Sequence, residues 1–316
     1  MIQFDAAALL GAVYDAAEVI GYPVSADAVA AVMARGVQIA FDKNPGEHLG
    51  ARAVVDTVAG TITVRTESGR DVTPPALERT APPLVRQEVV AFIRDLSRRK
   101  AVGAWANREG SVVTFVPSRL VDRGWAGAVE GVAALLPTGE FAAEVLTAGA
   151  GLAVLLLAAN VDDRDRIRLT VSRRQPVLLE QLMLTHCAAL SSGRVHVVAV
   201  ARDAGVRSKV ALAADDGSDP LAATVGPAGS HMRAVVAALG AERVDLVAYD
   251  PDPLVYVAAA LTPGKVLSAS HPAGLARAVE VVVASAQVAA VCGFQKANLR
   301  LAQRLTGAKI SYVIAT

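Results

Sequence analysis

Asp219-Pro220-Leu221-Ala222-Ala223-Thr224-Val225 runs into Gly226-Pro227-Ala228-Gly229, and residues 230–239 follow with helical spacing. Residues 242–250 come next and read as a strand. Two glycines three positions apart, just ahead of a helix, keep Cβ atoms out of the way of something that must come close. They also permit the positive φ that a tight turn requires. The helix behind them offers free N–H groups and the positive end of its dipole, a setting that favours phosphate. His231 and Arg233 lie on its first turn, within reach of a nucleic-acid backbone or base. A glycine pair alone also serves as a helix cap, so the surroundings carry the weight.

Those surroundings repeat. Upstream of the loop the pattern is a helix at 177–190 and strands at 194–202 and 208–214. Downstream come a helix at 253–261, strands at 266–270 and 278–284, a helix at 297–306 and a strand at 309–314. The second copy of the loop reads Cys292-Gly293-Phe294-Gln295-Lys296-Ala297-Asn298. Lys296 replaces the last glycine, which hinders close approach and supplies a positive charge. Asn298, Arg300 and Arg304 are the polar or basic candidates behind it, and Arg202, Arg207 and Lys209 accompany the first loop. This is the pattern of a KH domain, a module whose GxxG loop clamps about four nucleotides of single-stranded nucleic acid.

The remaining sequence divides by texture. Residues 1–100 read helix, helix, hairpin, helix. Ser25 is placed to cap the second helix, whose Val29, Val32, Met33, Val37 and Phe41 follow a 3.6 period. Residues 53–55 and 61–64 flank Ala59-Gly60 as a hairpin. Prolines at 74, 75, 82 and 83 act as breakers, with a helix from 84 to about 99 ending in Arg98-Arg99-Lys100, a solvated helix end that suits the dipole. Short strands at 111–116, 125–134, 152–159 and 167–171 suit a small closed barrel of the OB type. Trp105, Phe115, Trp125 and Phe141 are its candidate base-stacking residues, set against a core role. The apolar stretch 145–161 is short for a membrane span and is cut by Gly149 and Gly151, so a turn and a buried strand are expected.

Composition removes several function classes. The chain has 316 residues, 53% hydrophobic and 19% charged, with a net charge of +1. That excludes disorder and argues against bulk electrostatic capture of duplex DNA. The two cysteines, Cys187 and Cys292, read as buried thiols of a reducing, cytoplasmic compartment. His48, His186, His196, His231 and His271 lack metal-ligand spacing, and neither a GxxxxGK[ST] loop nor a GxSxG elbow occurs. Asp162-Asp163 and Asp215-Asp216 read as turn residues. No enzyme, cofactor or metal is expected.

The run 198–211, Val-Ala-Val-Ala-Arg202-Asp203-Ala204-Gly205-Val206-Arg207-Ser208-Lys209-Val-Ala, resembles the start of the first KH domain of the bacterial NusA transcription termination/antitermination factors. Asp219-Pro220 with the Gly226–Gly229 loop, and Glu242-Arg243-Val244-Asp245, continue the likeness. Leu261-Thr262-Pro263-Gly264-Lys265 resembles the family's link into its second KH domain, and Asn298-Leu299-Arg300-Leu301-Ala302 with Leu305-Thr306-Gly307 its second KH helix. Arg108-Glu109-Gly110 and Ser172-Arg173 match the ends of the family's OB-fold domain. The resemblance implies a multidomain α+β chain: an N-terminal helix/hairpin, RNA-polymerase-binding domain (1–103), an OB-fold β-barrel (104–172), and two tandem KH domains of the prokaryotic type II (173–252 and 253–316). It implies binding of RNA polymerase, nascent single-stranded RNA and other transcription factors, no membrane, and modulation of pausing, termination and antitermination. The departures at Lys296, Ala297 and Ala308 point to a divergent, short member or a paralogue. The alternative is a NusA-derived protein-interaction scaffold with little or no RNA binding.

Overall fold

The computed structural model describes residues 2, 3, 6–56, 59, 61–141, 146–240, 242–272 and 277–315. The chain divides into two compact units, 1–107 and 108–316. In the first, strand β1 (Ile2–Gln3) precedes helices α1 (Ala6–Ile20) and α2 (Ala26–Asp42). Strands β2 (Arg52–Asp56) and β3 (Thr61–Arg65) and the long helix α3 (Leu77–Ala106) follow. The Ser25 hydroxyl accepts from the Ala28 N–H at 3.2 Å and so caps α2, as expected. The hairpin residue Gly60 lies outside the described residues.

The helix expected to start at 84 begins instead at Leu77 and carries Pro82 and Pro83 in its second turn. Proline there removes backbone hydrogen bonds. The loss is offset by Leu77, Ala81, Val85 and Val89, which fall on one side and join the α2 residues Val29, Met33, Val37 and Phe41 in a single core. The two helices approach so closely that a Cβ on Gly36 would sit 2.5 Å from the Val85 backbone. Trp105 belongs to the end of α3 and is buried.

The second unit opens with a closed barrel of β4 (Val112–Val121), β5 (Gly124–Val129), β6 (Val132–Pro137), β7 (Leu152–Val161) and β8 (Ile167–Ser172), ordered β4-β5-β6-β8-β7. Phe115, Val129, Leu136, Leu156 and Val171 fill it with no exposure, so Phe115 is core. The strand expected across 125–134 is in fact two. They fold at Glu130-Gly131, where φ is 50° and 81°, the positive values a two-residue hairpin demands. Of the apolar stretch 145–161, residue 145 lies outside the described residues, a turn precedes residue 152, and Leu152–Val161 is strand β7. Among the described residues no helix is long and apolar enough to cross a membrane.

Two modules of like order complete the unit. The first has α4 (Pro176–His186), α5 (Ala188–Ser191), β9 (Val195–Asp203), β10 (Arg207–Ala214), α6 (Pro220–Val225), α7 (Ser230–Ala238) and β11 (Arg243–Ala248). The second has α8 (Pro253–Ala260), β12 (Ser268–Ser270), β13 (Ala278–Val283), α9 (Val288–Cys292), α10 (Ala297–Thr306) and β14 (Lys309–Ile314). In each, the middle strand runs antiparallel to the one before it and parallel to the one after, with two helices in the crossover. The helix expected over 177–190 breaks at Cys187, whose backbone is extended. Cys187 and Cys292 are free and buried, and burial pushes the Cys187 thiol up to about 11. The apolar run before Gly226 is the helix α6, capped by Asp219, whose carboxylate accepts from Leu221 and Ala222.

Strand β10 is buried on both faces. Val210 and Leu212 join a core with Leu179, Met183 and Val235 from α4 and α7. Ala211 and Ala201 turn the other way, into a core with Val257, Ala260 and Leu301 of the second module. Arg173, 1% exposed, ties the barrel to the first module by donating to the Ala153 and Ala238 carbonyls.

The hardest-working polar contact of the first module is fully buried. Glu242 accepts from Arg202 Nη2 (2.9 Å), Ser208 Oγ (2.6 Å) and the Gly205 N–H (2.8 Å). Burial opposes its ionisation, but those donors outweigh it and hold its pKa below the ordinary 4.5. Glu242→Gln is expected to cost the full chain about 3 kcal/mol, because Arg202 is left buried without its counter-ion. Urea denaturation followed by circular dichroism measures it. The wild-type advantage holds above pH 4.5 and fades as pH falls through the lower folded value.

Candidate nucleic-acid interface

The first loop is shaped by backbone geometry that non-glycine residues resist. Gly226 has φ 73° and ψ 174°, and Gly229 has φ 77° and ψ 17°; Ala228 between them has φ 48° and ψ 27°. The Gly229 N–H closes the loop on the Gly226 carbonyl at 3.0 Å. Pro227 and Ala228 are exposed, and Arg233, also exposed, folds back to donate to the Ala228 carbonyl.

The second loop has the same backbone. Gly293 has φ 70° and ψ 173°, Gln295 φ 48° and ψ 33°, and Lys296 φ 59° and ψ 24°. The Lys296 N–H bonds the Gly293 carbonyl at 3.1 Å, and Arg300 reaches the Gln295 carbonyl at 3.4 Å. Lysine therefore occupies a left-handed position that glycine would fill without strain.

The residue five places past the first glycine packs beneath it in both copies. A Cβ on Gly226 would stand 2.4 Å from the His231 ring, and one on Gly293 2.9 Å from Asn298. His231 thus faces the loop from inside, and its buried Nδ1 has no hydrogen-bond partner among the described residues. Asn298 is fully buried, its amide nitrogen donating to the carbonyls of Leu261, Ala290 and Val291. Its Oδ1 has no hydrogen-bond partner among the described residues.

The basic candidates separate into two groups. Arg202 is 9% exposed and committed to Glu242 and the Gln175 carbonyl. Lys209 is fully buried, bonded to Asp245 at 3.1 Å and the Thr262 carbonyl at 2.8 Å, and burial lowers its pKa against the pull of Asp245. Arg207 shares Asp245 at 2.7 Å. These three hold the module together and present little charge to a ligand. Arg233, Lys296, Arg300 and Arg304 are the exposed group, although Arg300 and Arg304 both pair with Asp203, at 3.0 and 2.9 Å. Arg304 also borders a polar cleft of about 750 Å³ with Phe141, Glu140 and Arg174, where the barrel meets both modules. Of the aromatic candidates, Trp125 and Phe141 are half-buried. Sequence reading passed over Phe294, 85% exposed at the tip of the second loop; the only signal was one aromatic within a polar run. It also passed over Asp203, the acid that gathers Arg300 and Arg304 from a hundred residues downstream in sequence, roughly.

Gly226→Ala is expected to destabilise the full chain by about 2 kcal/mol, from the positive φ and the collision with His231. His231→Ala should recover part of this, read as non-additivity in a double-mutant denaturation cycle.

The model of the NusA-like first KH domain matches residues 173–249, the module that carries the Gly226–Gly229 loop. The transcription termination/antitermination protein NusA of Mycobacterium tuberculosis is 33% identical over 293 residues, 86% of this chain and 83% of its own. The protein of the same name from Bacillus subtilis is 31% identical over 242 residues, 76% of this chain and 65% of its own. That of Thermus thermophilus is 30% identical over 244 residues, 76% of this chain and 62% of its own. An identity sustained over most of both chains, with the family's KH signature on the module whose loop geometry stands out, makes this protein a member of the NusA family.

Proposed function

We propose that this protein is a transcription elongation factor that binds RNA polymerase and nascent single-stranded RNA and so modulates pausing, termination and antitermination. The observation that carries the reading is the first loop. It is an exposed, glycine-flanked turn ahead of a helix, with Arg233 beside it, on a module that matches the family's KH domain. The second module shares its strand order and loop dihedrals, which supports a tandem pair of type II KH domains over 173–252 and 253–316. The five-stranded closed barrel supports an OB-fold ahead of them. Pro227, Ala228, Gly229, Arg233, Lys296, Arg300 and Arg304 form the contact set on this reading. The reading needs no catalytic residue: the RNA is held, and no bond is made or broken. The relatives named above are termination/antitermination proteins, and that role comes to this chain with the family.

The test is a titration of labelled single-stranded RNA into wild type and Gly229→Asp. Wild-type binding should weaken between about 50 mM and about 200 mM salt, as phosphate contacts require. Gly229→Asp places a Cβ and a negative charge where the phosphodiester passes, and should bind about tenfold more weakly, roughly 1.4 kcal/mol. Equal binding by the two proteins would remove the site.

Polymerase association is assigned to the N-terminal unit, whose helix–helix–hairpin–helix order matches the expectation for such a domain. A pull-down with immobilised RNA polymerase should retain the full chain and lose it on deletion of residues 1–107. Retention of polymerase with no RNA binding at low salt would instead support the scaffold reading. That reading draws on the pairing of four cations with just Asp203 and Asp245.

A further inference from the structure

The two loops share a backbone and differ in what they present. The first shows small residues, Pro227 and Ala228, between glycines, so a nucleic-acid backbone can lie against the main chain. In the second, the Lys296 side chain occupies the fourth position and narrows that approach. At the position of Pro227 stands Phe294, its ring 85% exposed. The neighbouring Gln295 and Lys296 are exposed and polar. The backbone beneath is pinned by the Lys296-to-Gly293 hydrogen bond and by Asn298, so the ring projects from a fixed base. A flat apolar ring held outward beside a cation has the composition of a stacking platform for single strands, which grips any base through its π-face while the cation meets the adjoining phosphate.

We propose that Phe294 is a nucleobase-stacking residue, so that the second loop holds one unpaired base of the RNA on the Phe294 ring beside Lys296, in place of the backbone clamp of the first loop. The inference rests on the RNA-binding reading above and deepens it. It assigns the two loops different work: the first engages phosphodiester, the second a base. Stacking depends on the area of the π-face, so purines should be held more tightly than pyrimidines at this position, with no hydrogen-bond readout of sequence.

The experiment uses the full chain and a fluorescently labelled single-stranded RNA long enough to span both loops, together with an abasic RNA of equal length and charge. Phe294→Ala should weaken binding of the base-bearing RNA about tenfold, leave its salt dependence unchanged, and have no effect on the abasic RNA. Phe294→Tyr should remain within about twofold of wild type, since the ring is kept. Lys296→Ala should weaken base-bearing and abasic RNA alike and flatten the salt dependence by about 0.7 in slope for the lost phosphate contact. Phe294 is solvent-exposed, so its truncation leaves the core intact, and an unchanged denaturation midpoint verifies this. If wild type binds RNA and Phe294→Ala binds it equally well, the stacking role is overturned while the RNA-binding reading stands. If Phe294→Ala weakens base-bearing and abasic RNA alike, or lowers only polymerase capture, the ring serves loop shape or a protein contact, and the proposal is likewise overturned. If wild type binds no RNA, the parent reading fails and this inference falls with it.

Discussion

The Arg202–Glu242 ion pair is buried on both sides, and such a pair stabilises a fold only when every remaining donor and acceptor is met. Here the partners come from backbone and side-chain groups of the segments that frame the first module. Glu242 takes the Gly205 N–H from the β9–β10 turn and the Ser208 hydroxyl from β10. Arg202 spends a further N–H on the Gln175 carbonyl, the residue that precedes α4. One ion pair therefore fixes the start of α4, the turn between two strands and the start of β11. The helix α7 and its loop run between β10 and β11. Removing either charge would free three backbone segments at once, a larger effect than a surface pair of the same length would have.

From that fixed module the second is positioned by the opposite face of the same sheet. Strand β10 alternates Val210 and Leu212 toward its own helices with Lys209 and Ala211 toward the next module. The small Ala201 and Ala211 leave room for α8 and α10 to come close to the strands. Lys209 is the polar bolt in this apolar seam, with Asp245 beside it on β11 and the Thr262 carbonyl after α8. At the edge of the seam Asp203 draws Arg300 and Arg304 of α10 onto the end of β9. The spacing between the two loops is thus a property of a shared core and not of a linker. A strand of RNA reaching both would meet a surface whose geometry is set before it arrives, which lowers the entropy lost on binding.

Much of this was legible in the residues, and what was not has physical reasons. The 3.6 period of α2, the Ser25 cap and the glycine spacing of the first loop are local signals, and the second loop, with Lys296 at its fourth position, is readable from the repeated order of elements around it. The start of α3 was misplaced because burial of Leu77 and Ala81 overrides two prolines, and burial is not written in the local sequence. Helix α6 is too short to show a period, yet Asp219-Pro220 carries its cap and first position, the same signal that Asp252-Pro253 gives for α8. The basic candidates Arg202 and Lys209 look like ligand contacts in sequence because their partners, Glu242 and Asp245, lie 40 and 36 residues away. Whether an arginine faces solvent or a buried acid depends on how strands pair, which local patterns do not encode.

The GxxG pattern itself separates into two constraints once the copies are compared. The first glycine is required by the protein's own packing: His231 lies under Gly226 and Asn298 under Gly293, and a Cβ at either would collide. Both copies retain it. Among the described residues the fourth position has no such neighbour: a Cβ on Gly229 would meet the far end of Arg233 at 3.4 Å, an ordinary contact. Its positive φ favours glycine, but the second copy accepts lysine there with the loop dihedrals intact. The energetic difference between the two residues in a left-handed conformation is about 1 kcal/mol, which a well-packed loop absorbs. A glycine at the fourth position therefore contributes little to folding that lysine cannot match. What it supplies is an uncovered main chain, and that matters only if something approaches it. The same comparison explains why the second loop can change its chemistry without losing its shape. With Asn298 and Gly293 holding the turn from below, the residues at its tip are free to vary, and it is there that Phe294 and Lys296 stand in place of Pro227 and Gly229.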